Sequence, residues 1–432
     1  MPERRRWTVR DLRRDNRSVL LWSLYFDQPC SRQDLSEATG LSSASVSNVI
    51  RELIAEGIVI EAGSVDSDGG RPRVLLRINP DFGYVVGIDV GETRVRAELF
   101  DLTMNVRANA DYPLEPREHG VDVVVDRILA CLHDVLADSG VPQESILGVG
   151  VGLPGVVEHG SEVLLYGQTY GWDAVPLERL LRDKGPGTDL PLYIENGANT
   201  LGQAELWFGA GQGARHGVVA LIGSGVGASI IGHGAAERAG TSSGTEWGHT
   251  TIMVGGRDCR CGSLGCLEAY VGAEAILDRY AQASHEAQGE AEGQGWQQLL
   301  PGQDEETALA ALADLAETSP EAAKVLDDTA LYLGAGIADL INLFGPDQII
   351  LGGWAGLLLG RRLLPAIRSS AHEHALSHAF AETTITVGRI GPDAVARGAA
   401  TLPIQAFLNG SAVPAGRRGD IADRGSVAGH AG

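Results

Sequence analysis

Four side chains that bind transition metals, His249, Cys259, Cys261 and Cys266, stand within eighteen residues of one another in the run GHTTIMVGGRDCRCGSLGCLEAY. No other feature restricts the fold as tightly, because all four must reach one point and the chain between them must turn sharply. Gly262 and Gly265 let it do so. A tetrahedral Zn²⁺ takes thiolate and imidazole ligands, and a site whose four positions are all filled by protein leaves none for water. The expectation is a structural Zn²⁺ in a Cys₃His site. Three of the five cysteines are used there, and a CxC pair is too close for easy bridging. Cys30 and Cys131 stand apart and read as core residues.

A chain of 432 residues, 44% of them hydrophobic, can build two or three domains with their own cores. It contains no run of eighteen apolar residues, and the N-terminal stretch MPERRRWTVRDLRRDNR has no hydrophobic signal core. A cytoplasmic protein with no membrane partner is expected. The formal net charge of −22 argues against nucleic acid for the chain as a whole, but the charge is unevenly spread. The first 80 residues hold twelve Arg against eleven acids, which leaves −23 on the remaining 352. Seven of those Arg, against three acids, lie in the first seventeen residues. An acidic body with a locally basic start suits a chain in which one small module meets phosphate.

Residues 17–80 carry a compact pattern. SVLLWSLYF reads as an apolar helix ending near Asp27, Gln28 and Pro29. The tetrad SRQD, Ser31 to Asp34, reads as a capping box opening a second helix through Ala38, because the hydroxyl and the acid can each satisfy the other's backbone N–H. Thr39 and Gly40 make the turn. A third helix, from Ser42 or Ser43 to Glu56, places Val46, Val49, Ile50, Leu53 and Ile54 on one face. Its other face presents Ser43, Ala44, Ser45, Ser47, Asn48 and Arg51, small or hydrogen-bonding groups suited to a major groove. Two short strands, IVIEAG and VLLRI, bracket SVDSDGGRPR. The predicted module, residues 1–80, is a winged helix-turn-helix with operator DNA as its partner. Arg71, Pro72 and Arg73 form a wing tip suited to the negative potential of a minor groove.

From residue 84 the chain changes to glycine-punctuated β-runs. YVVGIDVGETRVRAELFD reads as a hairpin turning at Gly91, and VVALIGSGVGASIIGHG repeats that design about 130 residues later. ILGVGVGLPGVV and DQIILGGWAG supply buried strands. The expected class is α/β, a bilobal body of the ribonuclease-H-like, actin-and-hexokinase kind over residues 81–405, with Asp89 as the acid at the end of its first strand. The helix around TALYLGAGIADLINLFGP should be buried against the second sheet or at a subunit interface. Residues 283–305 read as a surface loop, and residues 406–432 as a disordered tail.

The motifs GIDVG, GLPGVV, YIENGANTLGQAELWFG, LIGSGVGASIIGHG, SSGTEWGH, CRCGSLGCLEAY and IILGG follow one another in this order. On them the chain resembles the ROK family of repressors, open reading frames and kinases, from residue 17 to about 405. The resemblance implies a bilobal sugar-binding fold and, with an N-terminal winged helix, a sugar-responsive regulator of carbohydrate uptake or metabolism genes, expected to be a repressor. By resemblance, Gln168, Asn196, Glu246, His249 and Glu268 face sugar hydroxyls, and Gly155 approaches by its backbone. His249 would then turn one ring nitrogen to zinc and the other to the sugar.

Kinases of the family carry an Asp directly after Glu-Asn in the run that reads ENGAN here, and this chain has Gly197 instead. Glycine cannot take the proton of an attacking hydroxyl, so no catalytic residue and no kinase activity are expected. The first phosphate loop departs as well: Glu92 follows Gly91, where the family's kinases prefer a second glycine, and its charge repels a triphosphate. The expected mechanism is release of operator DNA by a sugar or sugar-phosphate effector acting on a homodimer or homotetramer. Two competing classes remain open, a sugar kinase keeping weak ATP-dependent activity and a regulator controlled by a docking protein.

Overall fold

The computed structural model describes residues 9–66, 72–115, 119–185, 189–232, 235–237, 246–288, 295–299 and 304–410. The N-terminal module opens with α1 (Val9–Asp27), whose Leu20, Leu21 and Leu24 are buried. After β1 (Cys30–Ser31), the Ser31 hydroxyl accepts from the Asp34 N–H while the Asp34 carboxylate accepts from the Ser31 N–H, so the capping box opens α2 (Arg32–Thr39) as its sequence dictates. Gly40, at φ 69°, ends that helix and redirects the chain into α3 (Ser43–Ala55), capped by Ser42. Val46, Val49, Ile50 and Leu53 are buried beneath α3, with Ile54 half-buried beside them. β2 (Val59–Val65) and β3 (Arg73–Ile78) complete a sheet of order β1-β3-β2, the wing of a winged helix.

The body then builds the same sheet twice. The first lobe contains β4 (Tyr84–Val90), β5 (Arg94–Asp101), β6 (Val106–Pro113), α4 (Val121–Ser139) and β7 (Ile146–Leu153). A small antiparallel sheet of β8 (Val156–His159), β9 (Val163–Gly167) and β10 (Trp172–Val175) follows, then α5 (Leu177–Lys184), β11 (Leu192–Asn196) and α6 (Gly197–Phe208). The second lobe starts with β12 (His216–Ile222), β13 (Val226–Gly232) and β14 (Ala235–Glu237). Its helical layer is α7 (Glu268–Val271), α8 (Ala273–Gln288), α9 (Trp296–Leu299), α10 (Glu305–Leu315) and α11 (Pro320–Phe344). β15 (Gln348–Gly352), α12 (Trp354–His374), α13 (Ser377–Glu382), β16 (Thr384–Val387) and α14 (Ala394–Leu408) end the described chain. The sheet orders are β11-β7-β4-β5-β6 and β14-β13-β12-β15-β16. In each, an antiparallel three-strand meander is extended by two strands parallel to its first member.

Glycine sets how closely the layers approach. All of β7 is buried, and a Cβ on Gly150 would lie 1.8 Å from the Ala399 carbonyl oxygen, while one on Gly87 would lie 1.9 Å from that of Ala396. Thus α14 rests directly on the first sheet. A Cβ on Gly398 would lie 1.8 Å from the Thr200 carbonyl oxygen, so α6 rests as closely on α14. Even one methyl group would separate these layers, and overpacking of this kind costs about 1–3 kcal/mol or more.

Two expectations change. Residues 283–288 belong to α8 and Trp296, 6% exposed, anchors α9 in the second-lobe core, so the 283–305 segment is not simply a surface loop. The body also passes residue 405, since α14 continues to Leu408 with Phe407 and Leu408 buried. The tail beyond residue 410 lies outside the described residues, as does Arg71. As for α11, Val325, Leu333, Ile337 and Ile341 face the second-lobe core, whereas Leu343 and Phe344 stay exposed. Among the described residues no helix is long and apolar enough to cross a membrane.

Candidate functional site

The metal motif folds as its glycines require. Isolated bridges pair Thr251 with Cys266 and Asp258 with Leu264, and Gly255, Gly262 and Gly265 turn at φ 69°, 89° and 75°. His249 Nδ1 lies 3.6 Å from Cys259 Sγ, and Cys261 Sγ lies 3.7 Å from Cys266 Sγ. All four ligand atoms fall within 4.8 Å of one another, so the cluster could hold one metal ion. A tetrahedral Zn²⁺ with ordinary bond lengths needs ligand-to-ligand edges of about 3.6–3.8 Å, which the His249–Cys259 and Cys261–Cys266 pairs have.

Above this cluster the turns of the two equivalent hairpins, Gly91–Thr93 and Gly223–Gly225, border a cleft of about 410 Å³. Gly155, Gln168, Asn196, Glu246, His249 and Glu268, which come from both lobes, all line it. A cavity of this size with a few convergent polar groups suits a small ligand. His249 turns Nδ1 to the cysteines, leaving Nε2 4.0 Å from Glu246 Oε2. Gly155 sits at φ 96°, where a Cβ would meet the Tyr166 carbonyl oxygen at 2.4 Å, so only glycine suits this turn.

Two of the six residues do more structural work than their types suggest. Asn196 caps α6: its Oδ1 accepts from the N–H groups of Ala198 and Asn199, and its Nδ2 donates to the Gly155 carbonyl at 2.7 Å. Glu268 accepts from the Val226 N–H at 2.9 Å through Oε2, while Oε1 faces the Arg260 guanidinium at 3.2 Å. Glu268 keeps acceptor capacity toward the cleft, since each carboxylate oxygen has two lone pairs, whereas Asn196 Oδ1 already accepts twice and Asn196 keeps only its second amide N–H to offer.

Arg260, placed between Cys259 and Cys261 of the candidate metal cluster, was not legible as a site residue. It reaches across the cleft to Glu92 and also bonds the Ser224 carbonyl, with Glu274 3.6 Å away, which ties the lobes together. Arg94 and Arg96, which line the cleft, are paired as well. Arg96 contacts Asp111 and Asp393, and Arg94 contacts Asp111 at 3.2 Å. Against these stand Asp89, Glu92, Glu246, Glu268 and Glu306 on the same walls.

Behind the second hairpin turn, Glu305 is buried, with Oε2 accepting from the Ser224 hydroxyl and Oε1 without a partner among the described residues. Burial pushes its carboxyl up to about 7, Ser224 opposing and Glu92 and Glu274 adding to the rise. A carboxyl raised in the folded state stabilises the fold below its unfolded pKa near 4.5 and loses that contribution as pH climbs through 7. Glu305→Gln should therefore leave thermal stability unchanged at pH 4 and raise it by about 2–3 kcal/mol above pH 7.5, read as a pH series of melting curves. Equal melting temperatures at pH 8 would count against the buried-acid assignment.

In the N-terminal module, Ser43, Ala44, Asn48 and Arg51 are exposed along α3, with Ser45 and Ser47 half-buried. Arg51 donates to Asn48 Oδ1 at 3.2 Å, so the two form one polar unit. Pro72 is exposed, and Arg73 lies 3.5 Å from Asp34. Arg13 and Arg17 pair with Glu52 of α3 and with Glu56, which caps its C-terminal end. Part of the basic start of the chain is thus spent on holding the module together rather than left for phosphate.

Comparison with known proteins matches both parts. The ROK family profile matches residues 85–406, and a winged helix-turn-helix DNA-binding profile matches residues 20–60. The chain is 30% identical over 402 residues to the xylose repressor of Caldicellulosiruptor bescii, covering 92% of this chain and 97% of that one. Among solved structures it is similar to a ROK family transcriptional regulator described as a homolog of the E. coli MLC protein, with TM-score 0.72 and 25% identity, covering 93% of this chain and 98% of the other. A ROK family glucokinase from Streptomyces griseus, solved with glucose and AMPPNP, matches with TM-score 0.63 and 25% identity over 75% of this chain and 100% of its own. The regulators thus cover nearly the whole chain and the glucokinase three quarters of it, and with a profile match over most of its length this protein belongs to the ROK family, as a member that carries an N-terminal winged helix.

Proposed function

We propose that this protein is a sugar-responsive transcriptional repressor of carbohydrate uptake or metabolism genes. Its winged helix holds operator DNA through Ser43, Ala44, Ser45, Ser47, Asn48, Arg51 and the wing residues Arg71, Pro72 and Arg73. The single observation that carries the reading is the joining, in one chain, of a DNA-reading module to a cleft whose walls converge hydroxyl-binding groups. A Zn²⁺ on His249, Cys259, Cys261 and Cys266 has a structural role, holding Glu246, His249 and Glu268 in one arc. Two winged helices on a homodimer would meet two half-sites. Binding of sugar shifts the lobes toward a state in which those winged helices no longer fit the operator.

The charges favour a neutral sugar over a sugar phosphate. Every cation lining the cleft, Arg94 and Arg96, and Arg260 beside it, already has a carboxylate partner, so a phosphate would bring two charges to an acidic wall with no free counterpart among the described residues. The same wall disfavours ATP, and Gly197 offers no base, so a regulator rather than a kinase is the function proposed. Calorimetry against D-xylose, D-glucose, N-acetylglucosamine and the 6-phosphates of the last two tests this. A neutral sugar is expected to bind, and the 6-phosphates at least about 10-fold more weakly, a gap of about 1.4 kcal/mol. No binding by any of them would sink the sugar-sensing reading, and preferential binding of a 6-phosphate would overturn the neutral-ligand one.

A further inference from the structure

Helix α6 begins at the cleft and ends at the winged helix. Asn196, Gly197 and Ala198 at its start line the cleft, and with twelve residues it carries about 18 Å farther, to Trp207 and Phe208. Trp207, 5% exposed, is packed against α1 of the DNA-reading module. Its ring meets those of Trp22, Tyr25 and Phe26 edge-on, at centroid distances of 5.5, 5.8 and 5.1 Å. The Trp22 indole N–H also donates to Asn409, just past α14, at 2.9 Å.

The two ends of α6 are tied to different lobes. At its start, the Asn196 amide holds the Gly155 carbonyl of the first lobe. At its end, the buried Glu205 carboxylate accepts from the backbone N–H groups of Arg389 and Ile390, which follow the second-lobe strand β16. Along its length α6 lies so close to α14 and to β13 that a Cβ on Gly398 or Gly202 would meet Thr200 or Ser229. A helix gripped in this way cannot bend locally, so a change in the angle between the lobes must appear as a tilt of the whole helix. At the junction the Tyr25 hydroxyl is buried with no hydrogen-bond partner among the described residues, so the docked arrangement leaves one polar group unsatisfied there.

We infer that α6 is the lever that carries sugar occupancy to the DNA-reading module, and that Trp207 is the positioning residue through which its tilt moves α1. This inference rests on the proposed sugar-responsive function and adds the route. The test measures operator affinity by fluorescence anisotropy, on a duplex first selected from a random library with the full-length protein. It is run with and without whichever of D-xylose, D-glucose or N-acetylglucosamine binds by calorimetry, on wild type, Trp207→Ala, Trp207→Phe and Phe26→Ala. Wild type should lose about 10-fold or more of its operator affinity on adding sugar, in the range of ordinary allosteric coupling. Trp207→Ala should keep sugar affinity within about threefold and show a sugar effect below about twofold, whereas Trp207→Phe should restore most of it.

Phe26 is 43% exposed and outside the module's core, so Phe26→Ala should fold and show the same uncoupling if Trp207→Ala proves unstable. A wild-type sugar effect in Phe26→Ala, or in a folded Trp207→Ala, overturns the inference. Absence of any sugar effect in wild type would instead remove the functional reading on which it stands, so the two failures are told apart by which protein shows them.

Discussion

A Cys261→Ser variant is expected to lose about 100-fold or more in sugar affinity while still folding and still binding operator DNA. The argument starts from the loop between His249 and Cys266, which has little regular structure of its own beyond two isolated bridges and a one-turn helix. Backbone hydrogen bonds such as those from Ile252 to Gly265 and from Cys259 to Ser263 shape its turns, and a metal on the four converging donors is expected to fix the turns relative to one another. Three cleft residues hang on that convergence. Glu246 and His249 lie at its start, and Glu268 follows Cys266 by two residues. Even loss of an outer partner of a metal ligand costs 10–100-fold in metal affinity or activity, so loss of a ligand itself should cost at least as much.

Leu20, Leu24, Ile50 and Leu53 of the winged helix are buried in a hydrophobic cluster that continues into the body and includes no residue of this loop, so the module should keep its fold. Metal content by mass spectrometry, calorimetry with the sugar that binds wild type, and gel shift on the same samples check the three parts. Intact sugar binding with lost DNA binding would contradict the assignment, as would wild-type protein that carries no zinc.

Replacing Arg51 with Ala should weaken operator binding by about 1–3 kcal/mol, or roughly 5–150-fold, the worth of one good base contact. The guanidinium is exposed on the outward face of α3 and oriented by the Asn48 side chain at 3.2 Å. Because the two side chains act together, the double variant Arg51→Ala, Asn48→Ala should cost less than the sum of the two single effects. Binding to unrelated duplex DNA should change far less, since base contacts specify while phosphate contacts position. Anisotropy titrations on selected and scrambled duplexes across a salt series give both numbers. Equal losses on both duplexes would demote Arg51 to a phosphate contact, and unchanged affinity on both would remove α3 as the reading helix.

Much of this was legible without coordinates, for local reasons. The Ser31–Asp34 capping box closes over three residues, and the hydrophobic face of α3 repeats at helical spacing. The metal ligands are close enough in the chain that glycine turns alone bring them together. Even the duplicated lobes are visible as two glycine-turned hairpins about 130 residues apart. Composition, by contrast, misled at 283–305: a segment rich in Gly, Gln and Glu looks solvated, yet Trp296 inside it is a core residue. The basic start of the chain misled in part too, because a count of charges cannot tell that Arg13 and Arg17 face Glu52 and Glu56, 39 residues away in each case.

By itself, then, the order of residues determined what short stretches of backbone must do: which helices cap where, which strands turn on glycine, and which four donors can share an ion. Only the tertiary structure decided what those pieces do to one another. Arg260 meets Glu92 across 168 residues of chain and pairs the charge that would otherwise face the cleft. Asn196 is both a wall of the cleft and the cap of α6, and Trp207 at the far end of that helix meets α1 because α14 and the first sheet approach within glycine contact. Such long-range meetings follow from how whole layers pack, and packing depends on volumes and close approaches that no local pattern records.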